Sequence, residues 1–135
     1  MKKLLMILPI FILNGCSSLG LDPYTNLTDP KRSNISYSSK TMNDTESCLH
    51  KSWSEVPYGI GVKYPLRITY NQNGKVLAFI GILEGRFFAI EISESDNPEF
   101  KTKLTSAYNP IESLNPVVRV YLPEILDKCS TRSDW

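Results

Sequence analysis

LRITYNQNGKVLAFIGILEGRFFAIEIS, residues Leu66–Ser93, decides the fold. LRITY (Leu66–Tyr70) alternates apolar and polar residues at the period of a half-buried strand. Asn71-Gln72-Asn73-Gly74 is a turn, and Asn73-Gly74 is the strongest two-residue hairpin signal in the chain. KVLAFIGIL (Lys75–Leu83) is apolar and rich in β-formers, and Glu84-Gly85 marks a second tight turn. In RFFAIEIS, strict alternation puts Phe88, Ile90 and Ile92 on one face and Arg86, Phe87, Ala89, Glu91 and Ser93 on the other. Three strands joined by tight turns make an antiparallel sheet.

Upstream, TESCLHKSWSEV (Thr45–Val56) carries Cys48, Leu49, Trp53 and Val56 at helical spacing. Asp44 is the expected cap of this helix and Pro57 its stop. Downstream, Asp96-Asn97-Pro98 breaks the chain, and Phe100, Leu104 and Ala107 share a face of an expected helix over Glu99–Ala107. VVRVYL (Val117–Leu122) reads as a late strand ended by Pro123, and Glu124–Lys128 as a short helical turn. The order is α-β-β-β-α-β. It implies an α+β fold, with a small antiparallel sheet of three to four strands and two helices packed on one face.

The chain has 135 residues, the size of one domain. Lys2 and Lys3 precede a ten-residue apolar run, Leu4–Leu13. That is half the roughly 20 residues a membrane-spanning helix needs, and a short run behind a basic start reads as a secretory signal. The signal ends in Leu13-Asn14-Gly15-Cys16, which resembles the lipobox of bacterial lipoproteins. The resemblance implies a signal peptide over residues 1–15 and lipidation at Cys16. Several acyl chains, at about 0.8 kcal/mol per buried CH₂, would hold the protein on a membrane. Ser17, in place of the Asp that retains such proteins in the inner membrane, resembles the class sorted to the outer membrane.

Residues 16–43 are expected to be the lipidated Cys and a flexible tether, because Ser17–Asn43 is rich in Ser, Thr and Asn, contains Pro23 and Pro30 and lacks apolar periodicity. Its Asn-x-Ser/Thr matches at Asn26, Asn34 and Asn43 follow from that composition and are assigned no role. Residues 44–135 are the expected periplasmic domain. Lys+Arg is 15 and Asp+Glu 14; removing Lys2 and Lys3 leaves 13 against 14, or −1. A near-neutral chain lacks the basic footprint of a nucleic-acid binder.

With Cys16 acylated, Cys48 and Cys129 remain, and an even remainder in an exported protein reads as a disulfide. The alternative is two separate buried thiols. No CxxC or HxxxH spacing points to a metal, and no cofactor motif is present. His50 is the single histidine, and a lone His beside an apolar face reads as a solvated residue. Gly59-Ile60-Gly61 is a loop hinge, not a nucleotide loop. Glu91 and Glu94 fall on opposite faces of a strand, which breaks up the one acidic pair. Trp53 and the tyrosines suggest sugar or peptide contacts, but for Trp53, Tyr70 and Tyr121 packing is the expected role. The chain is expected not to be an enzyme.

Tyr64-Pro65, Gly74-Lys75-Val76, Glu84-Gly85-Arg86, IEISES (Ile90–Ser95), Asn97-Pro98-Glu99-Phe100 and VVRVYLPEI (Val117–Ile125) follow one another in an order that resembles the C-terminal domain of TonB and its relative TolA, over Lys63–Asp127. The resemblance implies a periplasmic domain that binds a protein or peptide by adding a strand to a sheet edge. With a lipobox in place of a transmembrane anchor, it implies no energy transduction. The expected docking edge is the late strand, with Val117, Arg119 and Tyr121 at the surface and Val118, Val120 and Leu122 toward the core. The expected function is that of an accessory binding module of the cell envelope, with an envelope protein or peptide as partner and the membrane reached through the lipid. A defensive lipoprotein, blocking a toxin, phage or envelope hydrolase, is the alternative.

Overall fold

A computed structural model describes residues 22–81, 85–109 and 117–133. The elements in chain order are α1 (Pro23–Asn26), β1 (Asn34–Ser38), α2 (Met42–Ser54), a 3-10 turn (Pro57–Gly59), α3 (Ile60–Lys63), β2 (Arg67–Tyr70), β3 (Gly74–Ile80), β4 (Arg86–Glu94), β5 (Thr102–Tyr108), a π-helical turn (Val117–Tyr121), α4 (Leu122–Cys129) and β6 (Arg132–Ser133). The fold is α+β, with one antiparallel sheet in the order β2-β3-β4-β5-β1-β6. Five strands of four to nine residues are joined by a sixth of two residues, more than the three to four expected.

The hairpins of the central stretch form as the alternation requires. Tyr70 pairs with Lys75 across the first turn. The turn is built by Asn71, whose Oδ1 accepts from the N–H groups of Asn73 (3.0 Å) and Gly74 (2.9 Å). Among the described residues only Tyr58 and Gly59 have positive φ. The turn is therefore not the Asn-Gly type expected, which needs positive φ at both residues. Gly74 is required for another reason: a Cβ there would lie 2.1 Å from the Ile92 carbonyl oxygen of β4. In β4, Phe88 pairs with Phe79 and Arg86 with Ile80, so Phe87 is an extra residue in a β-bulge. The bulge turns Phe87 onto Phe79, ring centroids 4.6 Å apart, and corrects the strict alternation expected there.

The main core lies between one sheet face and two helices. Leu49 and Trp53 of α2 and Leu122, Ile125 and Leu126 of α4 meet Leu77, Phe88, Ile90, Ile92 and Leu104 of the sheet, all almost fully buried. In α4 the spacing 122, 125, 126, 129 is one helical face. Trp53 packs at 4.9 Å on Phe79 and 5.4 Å on Phe88, and its Nε1–H donates to the Tyr64 carbonyl at 2.8 Å. Thr41, not Asp44, caps α2, accepting the Asp44 N–H, while Asp44 sits in the first turn. The opposite sheet face is lined by Val76, Ala78, Ala89 and Ala107 and covered by Leu27 and Tyr24.

Three expectations are corrected. Residues 102–108 form β5, not part of a helix over Glu99–Ala107. Thr102, Leu104, Ser106 and Tyr108 alternate as well as Phe100, Leu104 and Ala107 recur helically, and pairing with both β4 and β1 decides for the strand. Residues 117–121 are a helical turn leading into α4, not a strand. A strand would treat Val118 and Val120 alike; here Val118 is 3% exposed and Val120 46%. Residues 22–43 are not a tether, since they supply α1, β1 and the start of α2. Cys16 and the signal segment lie outside the described residues.

Candidate functional site

The two edges of the sheet are built differently. At one end β6 pairs with the outer side of β1 through Ser36–Ser133 and Tyr37–Arg132. Thr131 N–H donates to the Tyr37 carbonyl at 2.6 Å, and Ser39 N–H to Thr131 Oγ1 at 3.0 Å. Just before this segment, Cys129 is bridged to Cys48 of α2, Cα–Cα 5.6 Å, so the expected disulfide pair is brought together across 81 residues.

At the other end β2 pairs with β3 alone among the described residues, and all four of its residues are exposed. Asn71 N–H donates to the Gly74 carbonyl, which fixes the hydrogen-bonding phase of the hairpin. Alternation from that bond directs the N–H and C=O of Arg67 and Thr69 toward β3 and those of Ile68 and Tyr70 outward. Side chains divide by the same register. Ile68 lies opposite Leu77 and Tyr70 opposite Lys75, on the helix-covered side, while Arg67 and Thr69 take the other side. Along the helix side, exposure rises from 5% at Leu66 to 45% at Ile68 and 76% at Tyr70, so an apolar stripe runs out of the core to the edge.

The chain segment that carries this edge has charge of one sign, and the carboxylates that reach it from elsewhere, Glu46 and Glu91, are bonded to Lys75 and Asn71. From Val56 to Leu83 the sequence holds Lys63, Arg67 and Lys75 and no Asp or Glu. Lys75 is bonded to Glu46 of α2, whose carboxylate holds the ammonium above the ordinary lysine range. Lys63 lies over the Tyr64 ring, 5.6 Å from its centroid. Arg67 is exposed and makes no ion pair among the described residues.

The residues expected to dock a partner, Val117, Arg119 and Tyr121, lie on the π-helical turn, away from any strand. Helical backbone groups bond along the helix axis, so this segment offers no ladder to a peptide. Tyr121 is partly buried against the main core, as its expected packing role requires. The exposed edge strand of the sheet is the segment LRITY, the first strand of the central meander and not its last.

A concavity of about 280 Å³ is lined by Asn73, Glu91, Ser93, Glu94, Asp96 and Lys103. Glu94 joins Glu91 there, despite the opposite faces expected from alternation. Asn71 Nδ2 donates to Glu91 at 2.6 Å. The Tyr37 hydroxyl donates to Asp96 and the Lys103 ammonium sits beside it, and together they hold its carboxyl below the ordinary aspartate value. The Glu91 and Asp96 carboxylates are thus engaged by neighbours. His50 lies 3.7 Å from Glu46 on the surface of α2. Among the described residues, no group of three or more His, Cys, Asp and Glu side chains is placed to hold a metal ion. None of the described helices is long and apolar enough to cross a membrane.

No family model, curated protein or solved structure matches the chain.

Proposed function

We propose that this chain is a lipid-anchored periplasmic protein of the bacterial outer membrane, and that its folded domain is a non-enzymatic binding module that takes up a protein or peptide of the cell envelope. The observation that carries the binding role is the bare β2 edge, where outward N–H and C=O groups sit beside the exposed Ile68 and Tyr70. Anchoring rests on the lipobox at Leu13–Cys16, and the Cys48–Cys129 bridge supports export to an oxidising compartment. The TonB and TolA resemblance contributes less, because its helix and closing strand fall where β5 and the π-helical turn are found.

Two measurements test this reading. Cys16→Ala should abolish labelling by a palmitate analogue and release the protein from membranes; persistent labelling defeats the anchor. A photo-crosslinking amino acid placed in living cells at Ile68 or Tyr70 should give a discrete adduct that the same group at Arg119 does not. Equal adducts at all three positions defeat the β2 site.

A further inference from the structure

Resting on the reading of β2 as the docking edge, we propose that its occupant is an extended acidic segment of a partner protein, in which acidic and apolar residues alternate. The register sets this pattern. A strand added to β2 bonds to the outward groups of Ile68 and Tyr70. Its side chains then alternate between two surroundings. One set lies beside Ile68 and Tyr70 and meets apolar surface; the other lies beside Arg67 and Thr69 and meets a guanidinium and a hydroxyl. Opposite charges across strands are favoured and like charges opposed. No Asp or Glu occurs from Val56 to Leu83, Arg67 makes no ion pair among the described residues, and Glu91, on the same side of the sheet, is two strands in and bonded to Asn71.

A second copy of the chain is a poor occupant. It would bring Arg67 and Lys63 of both chains to one seam. Pairing through two four-residue strands also falls well short of the roughly 1,200 Å² that stable interfaces bury. An anionic membrane would satisfy the charge but leave the outward backbone groups unused.

The test uses the purified, disulfide-intact protein in detergent and labelled eight-residue peptides followed by fluorescence anisotropy. Peptides of alternating Glu and Val should bind about tenfold tighter than those of alternating Lys and Val. Arg67→Glu should reverse the order. Ile68→Pro removes an outward N–H without breaking a bond to β3 and should abolish both. As a check that does not alter the protein, the Glu-Val peptide is N-methylated either at every Glu or at every Val. One form should lose binding and the other keep it, because only one set of N–H groups faces β2.

Binding that ignores charge but disappears with Ile68→Pro overturns the acidic occupant and leaves the docking edge standing. Equal loss from both methylated forms, or from neither, overturns strand addition. Binding to phosphatidylglycerol vesicles that survives Ile68→Pro, with no peptide bound, assigns the surface to a membrane and overturns the proposal. If no peptide binds and the Tyr70 photo-adduct also survives Ile68→Pro, both the occupant and the underlying reading fail.

Discussion

The closed and open edges of this sheet invert one another in chemistry. At the closed edge the strand side chains that point toward the helices are polar. Ser36 and Ser38 are buried in β1, and Thr45 of α2 donates to Ser38 at 3.2 Å. Such a strand gains little from the hydrophobic effect. It is held instead by β6 and by the neighbouring disulfide. At the open edge the same side carries Leu66, Ile68 and Tyr70, with nothing paired beyond them among the described residues. The buried edge strand is polar inside and closed by a further strand; the exposed edge strand is apolar on the same side and leaves unused pairing capacity beside that stripe.

The largest test of this contrast is removal of the bridge. Cys48→Ser with Cys129→Ser should lower unfolding stability by about 4 kcal/mol on the chain-entropy estimate, read from urea midpoints. Hydrogen exchange should rise first at Tyr37 and its β1 neighbours, and β3 should stay protected. Equal loosening at both edges would erase the distinction. Gly61→Ala probes the other end. Its Cβ would lie 1.6 Å from the Trp53 carbonyl oxygen, so α3 must shift from α2. A loss of about 1–3 kcal/mol is expected in thermal melts, with β2 amides the most affected, because α3 leads directly into that strand. Thr41→Ala removes the cap of α2 and should cost about 1 kcal/mol without favouring either edge.

The smallest effects are those of pH, and they separate the edges by direction. Asp96 is held below its ordinary value of 3.8, chiefly by the Tyr37 hydroxyl of the closed-edge strand and then by Lys103. Its contribution is present above 3.8 and is lost as pH falls through the lower folded value. Tyr37→Phe should flatten that acid limb. Lys75, beside the open-edge strand, is held above 10.5 chiefly by Glu46. Its contribution is present below 10.5 and is lost as pH rises through the folded value. Glu46→Gln should flatten the alkaline limb. Urea midpoints across pH check both.

What the sequence made legible were the parts whose pattern has a single reading. The strands of Leu66–Ser93 alternate on either side of the Asn71–Gly74 turn, Glu84 of the expected second turn lying outside the described residues; the helix of Cys48, Leu49 and Trp53 keeps one face, and Cys48 and Cys129 are the pair left once Cys16 is set aside. The illegible parts have patterns with two readings, settled by distant neighbours. Leu104 belongs to a helical and to a strand-like series, and β4 and β1 together choose the strand. The valines of VVRVYL favour a strand, yet Val118 and Leu122 lie one helical turn apart and continue the buried face of α4. β1 is polar enough to pass for linker, because its inward serines are satisfied by hydrogen bonds and not by apolar burial. The expected edge fell with the expected last strand: Arg119 and Tyr121 lie on a helical turn, and the exposed sheet edge carries Ile68 and Tyr70.

The strand order also fixes a sequence of events in time. β2, β3, β4 and β5 are neighbours both in the chain and in space, so their contacts close short loops and form fast. β1 emerges earlier, but Asn34 must wait for Ser106 to find its register, and Cys48 for Cys129 to find its thiol. The four-stranded meander therefore assembles with both flanks bare. The later arrival of β1 and β6 covers only one of them. Pulse-labelled hydrogen exchange during refolding should protect the β3 and β4 amides before those of β1. The flank that stays bare is then complete, with its outward N–H and C=O groups in place, before the bridge has formed.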